Sequence, residues 1–159
     1  LAIFRKEPLK LSWPFYNNTT VIDLDTEEAE KAIEYYGLGN VECIRIDINK
    51  YKSTIKYDVV IATDVLEHFK DLNEPLIFFR RFLASNGLLV VTLPTENKLY
   101  EFGRILINKK KPIDHYHRSK DVINFLRNNG FELVKSNYIP KYIIPIPLFE
   151  FAVFKYNDS

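Results

Sequence analysis

Apolar and polar positions along this 159-residue chain follow two rhythms, short apolar runs and recurrences at three and four residues. Runs mark strands and recurrences mark helices, because side chains repeat every 2 residues in a strand and every 3.6 in a helix. Residues 19–25 (TTVIDLD) predict a short buried strand ending in acids. Ala29, Ala32, Ile33 and Tyr36 then recur at helical spacing. Asp25 is expected to cap that helix with Glu28 as its box partner, and Gly37 or Gly39 to end it. Residues 41–48 (VECIRIDI) alternate and predict a second strand; residues 58–63 (DVVIAT) are apolar enough for a strand covered on both faces.

The same reading continues to the C-terminus. A helix is expected over 72–84, with Pro75 in its first turn, where a missing N–H costs little. Leu72, Leu76, Phe79 and Leu83 form its inner stripe, and Asn86-Gly87 closes it. Residues 88–93 (LLVVTL) predict a fourth strand that stops at Pro94, followed by an amphipathic helix over 96–111. Ser119 is expected to cap a last helix that turns Val122, Ile123 and Leu126 inward and ends at Gly130. Residues 131–139 and 149–156 read as two closing strands joined by a proline-rich link.

Strands alternating with helices predict an α/β fold. The expected form is a mainly parallel Rossmann-like sheet with helices on both faces, a three-layer αβα sandwich, with an antiparallel hairpin at the C-terminal edge. The length fits one domain over 1–159. Residues 1–18 stand apart within it as an atypical segment. Leu1 to Phe4 could be the stub of a strand, Pro8 and Pro14 oppose a regular helix, and Trp13, Phe15 and Tyr16 read as a lid or plug.

Composition narrows the function classes. A net charge of +1 gives no global field to draw nucleic acid or an acidic membrane, and Lys109-Lys110-Lys111 reads as a solvated helix end. The one cysteine, Cys43, excludes an internal disulfide and a cysteine-based metal cluster; its default place is buried packing. No metal is expected. Pro145, Pro147 and Glu150 break the longest apolar stretch, so no bilayer-spanning segment is expected, and a reducing, cytoplasmic setting fits best. With no methionine and Leu1 at its start, the sequence is expected to have lost its initiator or more.

The ordered set of elements carries a resemblance. Residues 57–69 (YDVVIATDVLEHF), 86–97 (NGLLVVTLPTEN) and 115–134 (HYHRSKDVINFLRNNGFELV) resemble the fourth strand, fifth strand and late helix of the class I S-adenosylmethionine-dependent methyltransferases. The likeness runs from that family's second strand onward, over about 19–156 here. It implies S-adenosylmethionine as cofactor. It also implies that Asp23, followed by Leu24, accepts hydrogen bonds from the cofactor ribose, for which a two-oxygen carboxylate is suited. Asp47 and Ile48 would meet the adenine, while Thr63 and Asp64 would close the strand near the reactive sulfonium. His68 is the first candidate base and Glu67 its neighbour, with His115 and His117 on the acceptor side. Asp23 and Asp47 are otherwise simple turn formers.

One departure is plain. The family's first strand leads into a glycine-rich turn against which the methionine end of the cofactor packs, because a Cβ would block that approach. Here no glycine precedes Gly37, and Gly37-Leu38-Gly39 joins a helix to a strand, the wrong order for such a turn. The first expectation is therefore a methyltransferase acting on a small-molecule, glycan or protein acceptor. The alternative is a catalytically silent methyltransferase-like binding or assembly module, which could form a homodimer through its C-terminal strands. A different nucleotide-binding Rossmann-like protein ranks last for want of a phosphate loop. Base-amine methylation is disfavoured because residues 63–66 read Thr-Asp-Val-Leu rather than an Asn/Asp-Pro-Pro-aromatic run.

Overall fold

The computed structural model describes residues 2–5, 18–95, 116–139 and 148–157. The helix expected over 96–111, the aromatic arm, the lysine cluster, the proline-rich link and His115 lie outside them. The elements are β1 (Ala2–Arg5), β2 (Asn18–Asp23), α1 (Glu27–Tyr36), β3 (Val41–Arg45), β4 (Tyr57–Thr63), α2 (Asn73–Phe82), β5 (Leu83–Pro94), α3 (Ser119–Asn128), β6 (Phe131–Ile139) and β7 (Phe149–Tyr156). Short 3-10 turns cover Ile48–Lys50 and Leu66–His68.

The seven strands form one sheet in the order β3-β2-β1-β4-β5-β7-β6. β2 pairs parallel with β3, and β4 with β5. β1 and β7 run against their neighbours, so the other five strands share a direction. The crossovers through α1 and α2 leave the middle of the sheet in opposite senses. Right-handed connection therefore puts the two helices on opposite faces, giving the three-layer α/β plan. The C-terminal hairpin sits at the expected edge with its later strand inside, because β7 pairs with both β5 and β6.

β1 takes the central slot in an unexpected direction. Its register, Ala2 opposite Val21 and Ile61 and Arg5 opposite Asn18, turns its N-terminal end toward the rim where β2 and β4 finish. The segment joining Arg5 to Asn18 is thus anchored at the opposite rim. Among the described residues, no strand delivers a turn from the centre of the sheet to the rim that Asp23 closes.

The core lies on the face covered by α2 and α3. Phe79, Phe82, Val122 and Leu126 from the helices meet Val60, Ala62, Leu89, Val91, Ala152 and Phe154 from the sheet. The expected stripe Leu72, Leu76, Phe79 and Leu83 is buried, and Phe78 and Phe82 join it. Their rings pack at 4.4 Å between centroids, with Tyr51 at 5.2 Å from Phe82. α1 behaves otherwise: its helical period is as read, yet it buries no residue and leaves Tyr36 exposed. Cys43 is half-buried on β3, and that burial pushes its thiol up from the ordinary value.

Several local expectations shift by a residue. Thr26, not Asp25, is the N-cap of α1; Asp25 Oδ1 accepts from the Glu27 amide at 3.2 Å, and the Thr26 hydroxyl donates to Glu30 Oε1 at 2.6 Å. Arg118 takes the cap of α3 in place of Ser119, its amide donating to Asp121 Oδ2 at 3.2 Å. β3 ends at Arg45, which leaves Asp47 outside the ladder and capping the turn after it. Asn86-Gly87 does not close α2 but forms a tight turn inside β5. Asn86 has φ +62°, and a Cβ on Gly87 would lie 2.8 Å from the Ala84 carbonyl oxygen. No helix among the described residues is long and apolar enough to cross a membrane.

A hydroxyl chain links the turn after β3 to the sheet. The Tyr51 and Tyr57 hydroxyls lie 3.0 Å apart, and Tyr57 is 3.4 Å from Thr20 Oγ1. Burial, then the bond to Tyr57, raises Tyr51 from an ordinary value near 10 to about 12. The folded state thus holds this proton more tightly than the unfolded one. The resulting stability is full below pH 10 and is lost as pH rises toward 12. Tyr51→Phe should remove that alkaline fall, read from urea midpoints between about pH 9 and 12 alongside phenolate absorbance.

Candidate functional site

A cleft of about 450 Å³ opens at the rim where β2, β3 and β4 finish. Its polar lining is Asp23, Asp47, Asn49, Asp64 and His68; its apolar lining is Ile22, Leu24, Ile46, Ile48, Val65 and Phe69. β2 contributes its last two paired residues, Ile22 and Asp23, and Leu24 after them, whereas β3 and β4 contribute only residues beyond their ladders.

β2 ends in an ordered acidic turn. Asp23 Oδ1 accepts from the Asp25 amide at 3.2 Å, and the Asp23 carbonyl accepts from the Ile46 amide at 2.9 Å. The Arg45 Nε–H donates to the Leu24 carbonyl at 2.9 Å, tying the turn to the neighbouring strand. After β3, Asp47 Oδ1 accepts from the Asn49 amide at 2.9 Å, which orients the Ile48–Lys50 turn and fixes the carboxylate at the rim. Both acids therefore turn one carboxylate oxygen, Oδ1, to a nearby backbone amide, and each carries a second carboxylate oxygen at the rim.

β4 ends at Thr63, and Asp64 turns the chain with φ +49°. Asp enters this left-handed region more readily than most residues because its short side chain bonds locally. Its amide donates to the Thr92 carbonyl at 3.2 Å, and the Thr92 hydroxyl lies 3.5 Å from Asp64 Oδ1. His68 comes next, on the Leu66–His68 turn, and lines the opposite wall.

Of the residues singled out in the sequence, Asp23, Leu24, Asp47, Ile48, Asp64 and His68 come together in this cleft. Thr63 is exposed at the end of β4 and is not on the wall. Glu67 is 1% exposed and turns away from the cleft, while its carbonyl accepts from the Tyr116 amide at 2.8 Å. His117 lies beside Lys70, its Nε2 3.3 Å from the Lys70 carbonyl oxygen. Ile22, Ile46, Asn49, Val65 and Phe69 were not foreseen. The alternation within VECIRIDI carried the signal for Ile46, which shares a face with Ile44 and Ile48.

Three carboxylates and a histidine on the wall, with no Lys or Arg among the described residues there, make this an acidic crevice with greasy sides. Its volume lies in the range of small-molecule sites. The crevice sits where the strand order reverses direction, the usual place for a ligand in an open α/β sheet.

Residues 6–136 match the family model described as a methyltransferase domain, and the chain belongs to that family. The N-methyltransferase NodS from Bradyrhizobium japonicum WM9 has 17% identity, covering 87% of this chain and 73% of its own, with a TM-score of 0.63. NodS in complex with S-adenosyl-L-homocysteine covers 86% of this chain and 65% of its own at 17% identity, with a TM-score of 0.64. The 1,6-didemethyltoxoflavin-N1-methyltransferase of Burkholderia thailandensis, with 1,6-didemethyltoxoflavin and S-adenosylhomocysteine bound, has 13% identity. It covers 87% of this chain and 61% of its own, with a TM-score of 0.63. At these identities the likeness is one of fold. The chain spans less than two thirds of the length of the last two structures. A search of curated proteins finds no match.

Proposed function

We propose that the chain is the cofactor-binding part of an S-adenosylmethionine-dependent methyltransferase and that the cleft takes the adenosine end of that cofactor. The observation that carries this reading is that Asp23 and Asp47, from successive parallel strands, line one crevice with apolar walls. Asp23 offers carboxylate oxygen to a ribose diol. Asp47 offers an acceptor to the exocyclic amine, and Leu24, Ile46 and Ile48 flank the flat ring. The donor set and walls fit adenosine. For the methionine end, residues 1–36 hold no glycine that could form such a turn.

Bound S-adenosylmethionine supplies an activated methyl group on a sulfonium. The protein's own task in such a transfer is alignment. Asp64, held in its left-handed turn by the Thr92 carbonyl, forms the end of the cleft that an acceptor would approach, with Thr63 exposed outside the lining. His68 is the group on the wall suited to take a proton from an acceptor that arrives protonated. The acidic lining opposes an anionic acceptor such as a phosphodiester and suits a neutral or cationic one. This supports a small-molecule, glycan or protein acceptor over a nucleic acid.

Calorimetric titration with S-adenosylhomocysteine is the test. Binding should also raise the melting midpoint, by the equivalent of about 2.7 kcal/mol at a hundredfold excess over Kd. No heat at millimolar ligand would refute the reading. That result would favour a silent module, a reading that the reversed β1 supports. In that second reading β6, an outer edge strand with Val134, Tyr138 and Ile139 exposed, suits pairing between two copies of the chain.

A further inference from the structure

We infer that Arg45 is a positioning residue for adenosine binding, acting through the backbone of Leu24. The inference rests on the proposed cofactor cleft. Arg45 does not line the cleft, but its Nε–H donates to the Leu24 carbonyl at 2.9 Å from across the β2–β3 pair, where it stands opposite Asp23. Leu24 is 69% exposed, so packing does not hold it. The two adjacent carbonyls of the acidic turn, Asp23 and Leu24, are held by two donors from β3 and its end, the Ile46 amide and the Arg45 side chain. The first is a backbone bond that any sequence could make. The second depends on one side chain, and it sets the height of Leu24 over the ring site and the direction in which Asp23 presents its carboxylate.

This tether is economical in sequence terms. Arg45 is exposed at the last position of β3, on the face opposite Ile44, so packing alone would tolerate any polar residue there. Only the donor explains why a guanidinium helps there. Its planar fork reaches a carbonyl one strand away with little further loss of freedom.

The experiment compares Arg45→Met, which removes the donor, with Arg45→Gln, which keeps an N–H without the charge. Without ligand, the amides of Asp25, Thr26 and Glu27 should exchange faster in Arg45→Met, while the melting midpoint stays within a degree of the parent. Affinity for S-adenosylhomocysteine, and for adenosine alone, should fall about five- to tenfold, the size expected for one hydrogen bond from a charged group at an exposed site. Arg45→Gln should recover most of both effects. Unchanged exchange, or faster exchange with unchanged affinity, overturns the inference, as does a fall of several degrees in melting midpoint, which marks a merely structural role. A parent protein that binds neither ligand fails the cofactor reading itself. A parent that binds beside an Arg45→Met variant that binds equally fails only the inference.

Discussion

Asp23→Ala is expected to weaken S-adenosylhomocysteine binding by about a hundredfold or more while leaving the fold intact. A carboxylate that accepts from both ribose hydroxyls makes two charge-assisted bonds, each worth roughly 1.5–3 kcal/mol. Asp23 is exposed at the end of β2, so water recovers part of that sum. A net loss of about 3 kcal/mol corresponds to the hundredfold. The variant also forfeits the bond from the Asp25 amide at 3.2 Å, which costs the turn less than about 1 kcal/mol at an exposed site. Asp23→Asn separates the two contributions, since it keeps an acceptor for the Asp25 amide and loses the charge. About tenfold weaker binding is expected there. Calorimetry on the three proteins reads the series directly, and equal affinities would remove Asp23 from the site.

Phe79→Ala should have the largest effect on stability, about 3–5 kcal/mol, which is the usual cost of emptying an aromatic core position. Phe79 is 1% exposed on α2, with its ring 6.2 Å from Phe78 and 6.5 Å from Phe131 at the start of β6. It therefore joins the middle helix to the far edge of the sheet. Against a typical total of about 5–15 kcal/mol, the loss leaves a marginal protein. The urea midpoint should drop steeply with an unchanged slope, and Phe79→Leu should cost a fraction as much. Phe79 does not line the cleft, so affinity measured well below the melting midpoint should match the parent. A change of about 1 kcal/mol or less for Phe79→Ala would mean that the helix does not pack as described.

Much of this was legible in the sequence where one physical signal acted alone. The bounds of β6 and β7 agree with the sequence reading, and Val122, Ile123 and Leu126 turned inward as their spacing required. Asp23, Asp47 and Asp64 could be placed at one rim because acids follow apolar runs, while their binding roles, like that of His68, came only from the resemblance. Signals that compete were not separable. Asp25 and Thr26 are both good caps, and only backbone geometry chose Thr26. Glu67 and His68 are adjacent and polar, yet the 3-10 turn sends one inward and the other into the cleft. The amphipathic period of α1 announced a buried face, but period alone does not say what covers a helix. The direction of β1 was beyond reach, since four residues pair equally well either way until their neighbours are known.

The reversed strand has a mechanical consequence. One wall of the cleft, with Asp23 and Asp47, hangs from β2 and β3; the other, with Asp64 and His68, hangs from β4 and its turn. The backbone stitching between these halves is a four-residue ribbon that meets β4 over three positions. Short ribbons open at lower cost than long ladders. Among the described residues this suture lies outside the cleft lining, so slackening β1 is expected to loosen the crevice from a place that touches no ligand.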